Sequence, residues 1–203
     1  MTRIKLCGLG RKEDIICANS LLPDYIGFVF AKGSRRYVDA PKAAELKAVC
    51  DDRIKTAGVF VDADEDYIIS LVRDGIIDTV QLHGSEDDDC IRRLRSLGVR
   101  EIIKAFKIAS AEDIEKARRS AADYVLLDSG CGGGEVFDWE LIGQIDRPYF
   151  LAGGLNCENV ANAIERLAPY AVDVSSGIET DGVKDTDKMR MFVTRARNAA
   201  TLG

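Results

Sequence analysis

Arg3-Ile4-Lys5-Leu6-Cys7-Gly8-Leu9-Gly10-Arg11-Lys12-Glu13 joins a short apolar strand to a glycine-bearing turn and then to a charged run. An open, doubly wound sheet usually carries a complete G-x-G-x-x-G fingerprint at this first turn. Here Gly8-Leu9-Gly10 is followed by Arg11-Lys12-Glu13, and the fingerprint is incomplete. Outward from this stretch, strand and amphipathic helix alternate along the chain. Apolar strand candidates fall at Arg3–Cys7, Tyr25–Phe30, Thr56–Val61, Thr79–Leu82, Glu101–Ala105, Tyr124–Asp128, Tyr149–Ala152 and Ala171–Val174. Runs rich in Val, Ile, Leu, Phe and Tyr are what buried parallel strands require.

Helical spacing fills the gaps. Ala161, Ile164 and Leu167 recur every three residues, and Met189, Phe192, Val193 and Ala196 follow the i, i+3, i+4, i+7 pattern of one helix face. Ser85 and Ser110, each followed by acidic residues, are expected to cap helices. Gly75 and Gly98 are expected near helix ends, where a left-handed residue is often needed. No Ser/Gly/Pro-rich linker interrupts the series. The pattern predicts an α/β protein: one compact (β/α)₈ TIM barrel with a closed parallel sheet, residues 1–203 forming a single domain.

Composition narrows the partners. The chain has 28 Lys+Arg against 34 Asp+Glu, a net charge of −6. It shows no long basic run and no basic stripe alternating with aromatics, so a nucleic-acid partner is not expected. No apolar stretch approaches the ~20 residues that span a bilayer, and the N-terminus lacks a secretory hydrophobic region. The six cysteines, at 7, 17, 50, 90, 131 and 157, include no Cys-x-x-Cys pair. Neither a metal site nor a redox pair is expected, and free thiols fit a reducing cytoplasm. The expectation is a cytoplasmic protein with a small-molecule partner.

In a barrel of this type, chemistry collects at the carboxyl ends of the strands. Two glycine turns sit there, Gly153-Gly154 after the seventh strand and Ser175-Ser176-Gly177 after the eighth. Glycine lets backbone N–H groups approach an anion. A short helix starting near Gly177 would add its positive end. The turns read as a phosphate cradle or as tight turns set by the chain path. Cys7 is a candidate base if its pKa falls toward neutrality, or else a small buried apolar residue. Asp128 follows Val125-Leu126-Leu127, and partial desolvation there would keep a general acid protonated; the alternative is a turn aspartate. Arg36 could grip a carboxylate bidentately, or be a solvated loop cation. His83, the single histidine, binds substrate or makes structural hydrogen bonds. Lys5, Gln81, Lys104 and Asp173 interrupt apolar strands and predict a polar interior layer in mutual contact, with Asp173 near substrate.

These residues resemble the phosphoribosylanthranilate isomerase family along nearly the whole chain. Lys5-Leu6-Cys7-Gly8-Leu9 looks like the family's opening motif, and Ile26-Gly27-Phe28-Val29-Phe30 with Ser34-Arg35-Arg36-Tyr37-Val38 like its second. Gly58-Val59-Phe60-Val61, Val80-Gln81-Leu82-His83-Gly84 and Leu126-Leu127-Asp128-Ser129 continue the series. Phe137-Asp138-Trp139, Gly153-Gly154-Leu155-Asn156 and Val172-Asp173-Val174-Ser175-Ser176-Gly177-Ile178-Glu179 complete it. Their joint order is specific where each alone is not.

The resemblance implies an Amadori rearrangement of N-(5-phosphoribosyl)anthranilate to 1-(2-carboxyphenylamino)-1-deoxyribulose 5-phosphate in tryptophan biosynthesis, without metal or organic cofactor. It implies Asp128 as general acid, Cys7 as general base, Arg36 on the anthranilate carboxylate, and Gly154 with Ser176-Gly177 on phosphate. A small phosphosugar would be the partner of a monomer or homodimer. The sequence departs from the family after the sixth strand. A Gly-Thr-Gly-Lys-like stretch is usual there, and this chain has Gly133 at the threonine position and Glu135 at the basic one. Weaker side-chain contact with phosphate is expected from that loop. An indole-glycerol-phosphate synthase would need a lysine–glutamate pair where this chain has Val61-Asp62 and His83. A non-catalytic phosphate-binding barrel is the other alternative, against which Cys7 and Asp128 argue.

Overall fold

All eight apolar segments become strands in the computed structural model, which describes residues 1–128, 142 and 145–200. The strands are β1 (Arg3–Cys7), β2 (Tyr25–Val29), β3 (Lys55–Phe60), β4 (Thr79–Leu82), β5 (Ile102–Lys107), β6 (Tyr124–Asp128), β7 (Tyr149–Ala152) and β8 (Ala171–Val174). Each pairs in parallel with the next, and β8 returns to β1 with Asp173 opposite Lys5, closing the barrel. Only β2, β3 and β5 differ from the expected bounds, by one or two residues. The glycine-rich stretch 130–135, with Gly133 and Glu135, and Phe137-Asp138-Trp139 lie outside the described residues.

Seven described helices surround the sheet: α1 (Lys12–Leu21), α2 (Ala40–Lys47), α3 (Glu65–Arg73), α4 (Asp88–Ser96), α5 (Ala111–Arg119), α6 (Val160–Leu167) and α7 (Thr186–Ala200). None is long and apolar enough to cross a membrane. Gly75 and Gly98 follow α3 and α4 with φ of 67° and 105°, conformations in which a Cβ would be strained. Ser110 caps α5 through a reciprocal box with Asp113. Ser85 does not cap α4. Asp87 does, accepting from the Cys90 N–H at 2.8 Å, while the Ser85 N–H and hydroxyl both donate to Asp62. A carboxylate is better matched than a hydroxyl to the positive end of a helix.

Strand alternation sorts the side chains into two packed regions. Leu6, Phe28, Phe60, Leu82 and Leu127 face the helices, where Ile15, Leu46, Ile91 and Phe192 cover them. Tyr25, Ile103, Leu126 and Phe150 face inward and plug the amino-terminal half of the barrel. Tyr25 and Tyr124 both pack edge-on against Phe150. A polar layer stands above this plug, nearer the carboxyl ends.

That layer differs in part from expectation. Lys5 and Asp173 meet as predicted, Nζ to Oδ2 2.9 Å apart, with side chains 0% and 7% exposed. Gln81 contacts His83 instead, its Nε2 lying 3.2 Å from Nδ1. Lys104 does not belong to the layer. Its neighbours Ile103 and Ala105 occupy the interior, so the alternation turns Lys104 outward. There it donates to the Gly84 carbonyl and to Glu86 at 2.7 and 2.9 Å. Glu86 also accepts from the Asp62 and Gly84 N–H groups, tying the ends of β3 and β4 together beneath His83.

Candidate active site

The barrel mouth holds a cavity of about 330 Å³, bordered by Cys7, Arg36, His83 and Asp128. Gly153, Gly154, Asp173, Ser175 and Ser176 complete its polar wall. Of the turn and catalytic candidates, Gly177 is not on that wall and is bridged to Asn156; Lys5 and Lys104 of the expected polar layer are not on it either.

Cys7 ends β1 opposite Gly27 of β2. A Cβ on Gly27 would stand 2.7 Å from the Cys7 sulfur, so the missing side chain creates the sulfur's seat. The thiol is 7% exposed. Burial pushes it above its ordinary pKa; Lys5 and Lys184 oppose that shift, and the Asp173 carboxylate reinforces it. The condition set for a resting thiolate, a fall toward neutrality, is opposed here, because desolvation outweighs the neighbouring cations.

Asp128 ends β6 with its side chain 27% exposed, and its Oδ2 lies 3.6 Å from His83 Nε2. That separation is longer than a good hydrogen bond. On the other side of the ring, Gln81 Nε2 faces Nδ1. A neutral imidazole accepting there carries its proton on Nε2, toward Asp128. Two buried acceptors on the cavity wall, Gln81 Oε1 and Asp173 Oδ1, have no hydrogen-bond partner among the described residues. Leaving such an atom unsatisfied costs about 1–3 kcal/mol, which a ligand hydroxyl or N–H would relieve. Gln81 was read only as part of a polar layer; its even spacing with His83 was the available signal.

Gly153 and Gly154 adopt φ of 87° and 68°, and Asn159 holds the turn by donating to the Gly154 carbonyl at 3.0 Å. No helix begins near Gly177. Instead β9 (Glu179–Thr180) and β10 (Val183–Lys184) form an antiparallel hairpin. Asp181 and Gly182 both have positive φ, the geometry of a two-residue type I′ turn, and the Asp-Gly pair was a legible but unread signal. Among the described residues, this corner therefore has no helix N-terminus to favour an anion, and its donors are the N–H groups of the two turns with the Ser175 and Ser176 hydroxyls and Arg36 beside them. Gly177 packs so closely that a Cβ would lie 1.9 Å from the Leu155 carbonyl oxygen. Gly177→Ala is expected to lower stability by about 1–3 kcal/mol or more, read by urea unfolding. An unchanged midpoint would mean the two turns part freely.

The hairpin brings in two residues missed in the sequence. Glu179 accepts from Arg36 Nε and Nη2 at 2.6 and 2.8 Å and from Lys184 Nζ at 2.6 Å. Lys184 also donates to the Ser175 carbonyl at 2.8 Å. Burial alone would push Glu179 upward, but Arg36 and Lys184 hold it at about 2. Arg36 is thus gripped on its side-on edge, leaving the end-on edge of Nη1 and Nη2. Gly8, with φ of 77°, makes room for it: a Cβ there would lie 2.5 Å from Arg36 Cδ.

A closed eight-stranded parallel barrel whose mouth gathers a thiol, a carboxyl, an imidazole and two glycine turns around one cavity has the build of a (β/α)₈ enzyme. A family model described as N-(5'phosphoribosyl)anthranilate (PRA) isomerase matches residues 4–195. The N-(5'-phosphoribosyl)anthranilate isomerase of Endomicrobium trichonymphae is 43% identical over 194 residues, 93% of this chain and 95% of the relative. The phosphoribosyl anthranilate isomerase of Thermotoga maritima superposes with a TM-score of 0.88 at 34% identity, covering 98% of this chain and 100% of that one. A second such structure, in complex with reduced 1-(o-carboxyphenylamino)-1-deoxyribulose 5-phosphate, gives 0.86 at the same identity and coverage. The chain belongs to the N-(5'-phosphoribosyl)anthranilate isomerase family. It is an enzyme whose reaction is the aldose–ketose isomerisation of tryptophan biosynthesis.

Proposed function

We propose that residues 1–203 act as one isomerase domain in which Asp128 is the general acid and Cys7 the general base. Asp128 protonates the ribose ring oxygen, and the ring opens to an iminium. The Cys7 thiolate then removes the C2 proton, leaving an enolamine that tautomerises to the ketose. The carrying observation is that both groups line one cavity, beside the glycine turns of β7 and β8. His83 Nε2 stands on the Asp128 side and would bind substrate there. Asp173 would offer its unpartnered Oδ1 to a ligand N–H or hydroxyl. Gly153, Gly154, Ser175, Ser176 and Gly177 would receive the phosphate through backbone N–H groups. No metal or organic cofactor has a step in this scheme. The protein would work in the cytoplasm, as a monomer or homodimer.

Arg36 would hold the anthranilate carboxylate on its end-on edge while Glu179 fixes the other. Glu179→Gln is then expected to raise KM about ten-fold with a smaller change in kcat, since the grip acts on bound substrate and transition state alike. A substrate analogue lacking the carboxylate should lose little on the same substitution. Equal losses for both would remove Arg36 from this role. The overall reading is tested by turnover of enzymatically generated phosphoribosylanthranilate, followed as loss of anthranilate-type fluorescence. Thermal stabilisation by a product analogue without turnover would contradict it.

A further inference from the structure

Among the buried charges that the acid–base scheme does not use, Lys5 lies on the same strand as Cys7. Lys5 is fully enclosed in the barrel, where an ammonium persists only if paired. Asp173 Oδ2 supplies that pairing from the adjacent strand, opposite Lys5 in the β1–β8 register. Lys5 and Cys7 lie two residues apart on β1 and so share its interior face. An ammonium has three donors, and Asp173 Oδ2 takes one of them. Charged groups reach the sulfur from three further elements: Asp173 on β8 and Lys184 on β10, and Arg36 in the connection after β2. Arg36 and Lys184 share the single Glu179 carboxylate. Lys5, two residues from Cys7 on the same strand face, is the cation whose charge most favours the thiolate.

On this basis, and resting on Cys7 as the base, we propose that Lys5 is a positioning residue that holds the Cys7 sulfur as a thiolate when the C2 proton is taken. Asp173 keeps Lys5 charged and fixes its direction. In a site shielded from water, one fixed cation stabilises a neighbouring anion far more than a solvated cation would. Lys5 itself transfers no proton. Burial alone would leave Cys7 almost wholly protonated, and Lys5 recovers part of the thiolate population that proton abstraction needs.

The test is alkylation of Cys7 by iodoacetamide across pH, quantified on the Cys7-containing peptide by mass spectrometry. It reports thiolate whether or not Cys7 is the catalytic base, so it can fail independently of the mechanism. Lys5→Met is expected to slow alkylation at pH 7 ten-fold or more and to move its pH midpoint upward. Its kcat should fall in parallel. Because that variant strands Asp173 without a cation, Lys5→Met/Asp173→Asn provides a neutral pair that keeps the interior packed. The double variant should shift in the same direction by a smaller factor. A wild-type alkylation profile in either folded variant would overturn the proposal. A shifted profile with unchanged kcat would instead uphold the effect of Lys5 on the sulfur and remove Cys7 as the base.

Discussion

Cys7→Ala is expected to lower kcat by ~10²-fold or more, with KM changed much less, since general-base catalysis contributes about 10²–10⁴-fold. The substitution removes the only sulfur on the cavity wall among the described residues. It removes a single atom, the sulfur seated against Gly27 and grouped with Val29 and Val59, and leaves the strand backbone in place. The loss should therefore fall on the chemical step rather than on folding or substrate affinity. The wild-type pH profile offers a second check. The base must be ionised, and burial raises the Cys7 pKa, so kcat/KM should climb with pH on the alkaline side. That limb should vanish in Cys7→Ala. An intact limb in the variant would assign it to another group.

Asp128→Asn should bring a loss of similar size. The carboxamide has nearly the shape of the acid but cannot transfer a proton to the ring oxygen, so ring opening should slow ~10²-fold or more. Binding should survive, because the cradle and Arg36 belong to β7, β8 and the connection after β2. Single-turnover fluorescence would place the loss in the chemical step. A near-wild-type rate would show that another acid opens the ring. The two effects should not multiply in the double variant, since each residue depends on the other's step.

The barrel itself was legible because its determinants are local. Each strand is an apolar run between turn residues, and the polar residues that interrupt those runs, Lys5 and Asp173 among them, predict an interior polar layer. Cys7 and Asp128 could be placed at one cavity because each is the last residue of its strand. Lys5 and Asp173, 168 residues apart, were matched because both interrupt apolar strands, but contacts made by residues in the loops were not legible. Glu179 lies 143 residues from Arg36, and nothing in Ser176-Gly177-Ile178-Glu179 announces that its carboxylate is buried between two cations. Ser85 was misread because its competitor Asp62 belongs to another loop, 23 residues away. Lys104 was misplaced because a lysine within an apolar strand was assumed to face inward, where its own neighbours Ile103 and Ala105 already point. The Cys7 pKa depends on desolvation, a property of the assembled barrel that no spacing encodes.

The most direct test is a crystal structure of this protein with reduced 1-(o-carboxyphenylamino)-1-deoxyribulose 5-phosphate bound. The account predicts C2 within about 3–3.5 Å of Cys7 Sγ, the oxygen derived from the sugar ring beside Asp128, and the phosphate between the Gly153-Gly154 and Ser175–Gly177 turns. A ligand seated with C2 turned away from the sulfur, or with its phosphate elsewhere on the barrel, would contradict it.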